Sequence, residues 1–157
     1  MADWLPWSLL VAAVLHITEE FLFPGGFPAW YRRYNADPSR VTRRFLLIIN
    51  AGLLVACVNV ALLGHNPIGV VYWLVMSALL ASNGCWHAWA SYQSRSYSPG
   101  VITGITVYVP LTIYGYIEFV RSGAVPGLTA VIAFFVGASY PLWSAVYHRR
   151  TPTKARK

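Results

Sequence analysis

The chain has 157 residues, of which 57% are apolar or aromatic and only 11% are charged, against about 25% charged in ordinary soluble domains. That composition excludes a soluble globular enzyme and places the chain in a bilayer. The formal charge of +7 does not point to nucleic acid, because eleven of the twelve Lys and Arg residues fall in the segment Arg32 to Arg44, at Arg95 and in the tail Arg149 to Lys157. A nucleic-acid binder gathers them on one groove-reading surface instead.

Four apolar stretches exceed the roughly 18 residues that a spanning helix needs, and a fifth, slightly shorter or more polar, lies between them. The first predicts a helix over 4–23, with Asp3 as N-cap, Pro6 tolerated in the first turn and Pro24-Gly25-Gly26 as its stop. It lacks basic residues ahead of it and carries two glutamates, so it reads as a retained helix and not a cleaved signal. Residues 27–44 place Phe27, Trp30, Tyr31 and Tyr34 at i, i+3, i+4 and i+7, which suits a short interfacial helix that anchors the chain among the headgroups. Helices follow over 45–63 and 68–92, joined by the tight Gly64-His65-Asn66-Pro67 turn, then over 101–120 and 128–148.

The expected fold is a single all-α transmembrane domain of five helices (1–148) with a basic tail (149–157). The basic loops stay cytoplasmic, which puts the N-terminus outside and the C-terminus inside, as in a multi-pass protein of a bacterial inner membrane. Trp4, Trp7, Trp30, Trp143 and Tyr147 read as interfacial belt residues. His65 and His148 lie at helix ends, where solvation is the default, and Glu118 sits near the outer boundary beside Arg121. Cys57 and Cys85 fall at different depths on separate helices, which disfavours a disulfide.

One group of residues breaks the apolar pattern. His16, Glu19 and Glu20 stand at i, i+3 and i+4, on the same general side of the first helix. Ionisable groups at mid-bilayer cost about 2.5–3.5 kcal/mol each on the insertion scale, so they are expected to face the bundle interior. Asn83, His87 and Ser91 form a second polar stripe at i, i+4 and i+8, at a matching depth in the cytoplasmic half. Asn50, Thr103, Tyr140 and Ser144 belong to the same half. Two imidazoles and two carboxylates (His16, Glu19, Glu20, His87) are ligand types accepted by Zn, Fe or Mn. Without a metal, Glu19 or Glu20 beside an imidazole can hold and exchange one proton.

The expected function is therefore membrane-embedded catalysis on a lipophilic substrate, by metal-assisted or general acid/base chemistry: hydrolysis, isomerisation or oxidation. Two other classes fit the same residues. A proton or metal-ion carrier needs a polar path through the outer halves, where Asn59, Ser77 and Thr112 are the candidates. A structural membrane subunit would use the cluster only to tie helices together.

The segment His16-Ile17-Thr18-Glu19-Glu20 resembles the signature of the HXXEE-motif family of small bacterial membrane proteins, which are uncharacterised. Asn83-Gly84-Cys85-Trp86-His87 matches that family's Asn-x-x-x-His motif. Tyr97-Ser98-Pro99-Gly100-Val101-Ile102-Thr103 matches its Tyr-x-Pro-Gly-x-x-Thr motif. The resemblance runs from residue 16 to residue 103 and implies an enzyme whose site includes these polar positions. It adds Tyr97 and Thr103 to the candidate site, with Pro99-Gly100 turning the chain so that both point toward the cluster.

Overall fold

The structure is a computed structural model that describes residues 2–22, 25–34 and 41–142. The expectations for Phe23, Pro24, Trp143, Ser144, Tyr147, His148 and the basic tail lie outside these residues. The described chain is all-helical: α1 (Leu5–Leu22), α2 (Gly26–Tyr34), α3 (Arg43–Leu63), α4 (Pro67–Ser94), α5 (Val101–Arg121) and α6 (Gly127–Ala138). Four of them, α1, α3, α4 and α5, are long and apolar enough to cross a membrane. The fifth expected span begins as predicted, but its described part is a shorter apolar helix within Gly127–Leu142.

Local chemistry explains where the helices begin. Thr42 accepts the Phe45 N–H through Oγ1, which starts α3 ahead of the predicted residue 45. Asn66 caps the Gly69 N–H, and Pro67 occupies the first turn of α4, where its missing N–H is harmless. Inside α5 the helix widens to a π-helical turn over Gly104–Tyr108, and Val109 donates to the Gly104 carbonyl five residues back. Pro110 is the physical cause, because it has no N–H and its ring crowds the carbonyl one turn earlier.

The long α4 is the centre of the bundle, with α5 and α6 packed against it, while α1 packs chiefly on α3. Leu5, Leu9, Trp73, Leu74, Tyr108 and Phe119 form the heart of the core. Three side-chain bonds tie other helices to the α4 region: Trp73 Nε1 donates to the Leu5 carbonyl at 2.8 Å, Thr112 Oγ1 to Ser77 O at 2.9 Å and Tyr116 OH to Leu74 O at 3.1 Å. On the outside, Val11, Leu15, Ile48, Val55, Ile132, Phe135 and Val136 are all exposed. In water such a surface would be a continuous apolar patch, whereas in hydrocarbon it is the normal outer face. Cys57 and Cys85 are both free thiols.

Where α4 and α5 cross, Gly84 meets Gly104 backbone to backbone: a Cβ on Gly84 would stand 2.7 Å from the Gly104 Cα. This close crossing sets the distance between the Asn83/His87 stripe and Thr103. Gly84→Leu is expected to lower stability by about 1–3 kcal/mol through overpacking. Thermal unfolding in detergent measures it, and an unchanged midpoint would contradict the crossing.

Two expectations change. The α2 helix is not a free interfacial anchor: Phe27 and Trp30 are buried, packed with Val41, Leu46 and Trp86. Trp30 Nε1 donates to Ser96 Oγ at 3.0 Å, so the residue read as a belt tryptophan faces protein. The aromatic stripe is the reason, since it finds an aromatic partner in Trp86 on α4. His65, expected to be solvated, keeps both ring nitrogens shielded and without partners among the described residues, because its ring packs against Phe119.

Candidate functional site

Neighbouring residues on an α-helix point about 100° apart, so Glu19 and Glu20 leave α1 in different directions. Glu20 turns toward α3 and α4. Its Oε2 accepts from Asn50 Nδ2 at 3.2 Å, while Oε1 stands 3.6 Å from His16 Nε2 and 3.4 Å from His87 Nε2. All three residues are buried, at 2% exposure for His16, 6% for Glu20 and 1% for His87. One ligand-type atom from each of the three lies within 4.8 Å of the others. Asn83 Nδ2 reaches His16 Nε2 at 3.2 Å and completes the ring.

Glu19 instead faces the start of α5, where it receives five hydrogen bonds. Its Oε1 accepts from Tyr97 OH at 2.6 Å, Gly100 N–H at 2.9 Å and Ile102 N–H at 3.0 Å. Its Oε2 accepts from the Thr103 N–H at 2.7 Å and the Thr103 hydroxyl at 2.5 Å. Five donors converging on two oxygens suit a carboxylate, which only accepts. A helix N-terminus also presents unpaired N–H groups and a favourable dipole for a negative charge. Burial and the Glu19 carboxylate push the Tyr97 phenol up from its usual range, so it stays protonated and remains a donor.

The Glu19 clamp reaches the His16/Glu20/His87 group through Thr103. Because the Thr103 hydroxyl proton goes to Glu19, its oxygen has only lone pairs for His16 Nδ1, 2.9 Å away. The network thus places a hydrogen of the His16 ring on Nδ1, while Nε2 faces Asn83 Nδ2 and Glu20. His87 has the same layout, with Nδ1 on Ser98 Oγ at 3.1 Å and Nε2 toward Glu20. Held second nitrogens of this kind are the usual support of ligating histidines.

The Tyr-x-Pro-Gly-x-x-Thr segment is packed into the same place. Ser98 and Pro99 are buried. Gly100 has φ +104°, and a Cβ there would stand 2.8 Å from His16 Cε1 and 2.9 Å from His87 Cε1. Only glycine fits both that backbone and that space. On the other side Tyr108, from the π-helical turn, lies tilted over His16 at 4.7 Å between ring centres. It is fully buried and its hydroxyl has no hydrogen-bond partner among the described residues. Phe27 of α2 sets its ring edge-on to His87 at 5.2 Å.

A cavity of about 780 Å³ opens onto His16, Glu20, Asn50, Asn83 and His87. Its size is within the roughly 300–1,000 Å³ of small-molecule sites. Leu53, Ala56, Met76 and Leu79 line one end, and Phe27, Tyr31, Phe45 and Trp86 line the other.

The structure therefore brings His16, Glu20, His87 and Asn83 together around one point. Glu19, Tyr97 and Thr103 form the adjoining clamp, with Glu19 outside the three-residue ligand-type group. The metal set read from the sequence included Glu19, whose oxygens are both engaged by backbone and hydroxyl donors. Phe27, Ser98, Gly100 and Tyr108 were not among the candidates. Ser98 and Gly100 lie inside a motif already quoted. The aromatic stripe containing Phe27 was visible but reads the same whether it faces lipid or protein.

No curated protein and no solved structure matches this chain. One family does, described as "Protein of unknown function with HXXEE motif", and its match spans residues 7–115. The three motif segments that meet in the buried cluster all lie within that match, and the chain belongs to the HXXEE-motif family.

Proposed function

We propose that the chain is a membrane-embedded metalloenzyme in which His16, Glu20 and His87 hold one divalent cation (Zn, Fe or Mn) beside a cavity for a lipophilic substrate. One observation carries the reading: the Nε2 atoms of His16 and His87 converge on one Glu20 oxygen at 3.6 and 3.4 Å, while the Nδ1 atoms of both rings are held by Thr103 and Ser98. Convergent nitrogen and oxygen ligand atoms with held second nitrogens are the arrangement a divalent cation requires, and a cation there would replace the Asn83 contact to His16 Nε2. Tetrahedral zinc ligands at about 2.0–2.2 Å from the metal stand ~3.3 Å from one another, close to the 3.4 and 3.6 Å spacings around Glu20. Two histidines and one carboxylate are also the donor set of hydrolytic zinc and of non-haem iron sites.

A cation bound there would supply a Lewis acid and an activated water or oxidant position. The chain's own residues do the rest. Glu20 supplies the anionic ligand oxygen, or in the metal-free alternative is the group able to take or return a proton; Asn50 orients its carboxylate, and the Glu19 clamp keeps the His16 tautomer. Hydrolysis, isomerisation and oxidation all fit this arrangement. The carrier reading is less favoured, because Asn59, Ser77 and Thr112 each donate to a backbone carbonyl instead of forming a polar path outward.

We place α6 as a fifth crossing, with the N-terminus outside and the basic loops on the cytoplasmic side of a bacterial inner membrane, on the charge asymmetry of the loops. Elemental analysis of the purified protein tests the metal reading. One equivalent of Zn, Fe or Mn is expected, falling at least about tenfold in His16→Ala and His87→Ala, as loss of a ligand predicts. Metal at the same level in both variants, or none in the wild type after loading, would overturn it.

A further inference from the structure

We infer that the substrate is a single-chain lipid with an oxygen head group that slides in sideways between α3 and α6, with that oxygen group at the His16/Glu20/His87 cluster and its alkyl tail directed toward Met76 and Ala56. This inference rests on the reading of the cluster as the reactive centre. Sideways access follows from the lining. Ile49 and Gly52 border the cavity and are also exposed on the outer surface of α3. On the opposite rim stand Tyr140 and Pro141, which follow α6. Among the described residues α3 packs chiefly on α1 and less on α4, while α6 packs chiefly on α4 and hardly on α3, which leaves a gap between the two for sideways entry.

Length and charge narrow the occupant. Along α3 the lining rises from Asn50 to Ala56, and along α4 from Asn83 to Met76, about 9–10 Å at 1.5 Å per residue. That is roughly two thirds of one leaflet of a ~30 Å hydrocarbon core, matched to one medium-length alkyl tail. Among the described lining residues there is no Lys or Arg, and Glu20 is the one acidic group. The partners of an oxygen head are therefore the cation of the proposed site and the amides of Asn50 and Asn83, which donate or accept. The aromatic end, with Phe27, Tyr31, Phe45 and Trp86, suits a small apolar substituent beyond the oxygen group.

Native mass spectrometry of the purified protein in neutral detergent with dodecanol tests this. The expected result is a one-to-one dodecanol adduct, weakened about tenfold by Ala56→Trp and by Leu79→Trp, which obstruct the tail channel. Absence of a dodecanol adduct in the wild type overturns the inference, as does unchanged dodecanol binding in two folded tail-channel variants. The same spectra report the bound cation. A dodecanol adduct without a cation would sink the metal reading and leave the lipid assignment standing, while a cation without that adduct would do the reverse.

Discussion

Gly100→Ala is expected to remove metal binding and activity together while lowering stability by about 2–5 kcal/mol. Two effects add. A side chain at φ +104° carries a backbone cost of about 1–2 kcal/mol. Its Cβ would also press on both imidazole rings, at 2.8 and 2.9 Å, an overpacking worth about 1–3 kcal/mol. Gly123→Ala separates the two, because Gly123 has φ +73° with nothing within 4 Å of its added Cβ. That variant should lose only the backbone share and keep its metal. Unfolding midpoints and metal content of the two proteins, measured side by side, check the expectation; equal behaviour would show that the imidazoles do not depend on the space Gly100 leaves.

The second large effect distinguishes the two glutamates. Glu19→Ala leaves the donors of Tyr97, Gly100, Ile102 and Thr103 without their acceptor, and several unpaired donors near the bundle interior should cost about 3 kcal/mol or more. The variant also frees the Thr103 hydroxyl proton, so the His16 tautomer is no longer held. Stability and metal affinity should fall together. Glu20→Gln keeps the shape and the Asn50 contact within reach, so unfolding should change by no more than about 1 kcal/mol while metal affinity collapses. Tyr97→Phe removes one donor and should cost about 1 kcal/mol. If Glu19→Ala proves as stable as the wild type, the clamp is not what holds α5 to α1.

Much of this was legible because it depends on local pattern. Apolar runs marked the spans, and Asn66-Pro67 marked the start of α4 nearly to the residue. The i, i+4 spacing of His16 and Glu20 correctly joined them, and the motif resemblance brought in Tyr97 and Thr103. What spacing does not carry is how a polar face divides between neighbours. Glu19 and Glu20 read as one pair, yet the 100° step between them sends one to the α5 N-terminus and the other to α3 and α4. The role of Gly100 depends on two rings from other helices, and so has no signature in its own segment. The π-helical turn at Gly104–Tyr108 had a cue in Pro110, which the apolar pattern masked. The α2 stripe was seen but faced the wrong medium: amphipathicity tells that a face is covered, not by what.

The central claim is that one cation is shared by His16 Nε2, His87 Nε2 and Glu20. X-ray absorption of the zinc-loaded protein tests it most directly. The account predicts two imidazole nitrogens and carboxylate or water oxygens at about 2.0–2.2 Å, with one imidazole lost in His87→Ala. A sulfur shell, or an imidazole count unchanged in both His16→Ala and His87→Ala, would contradict it.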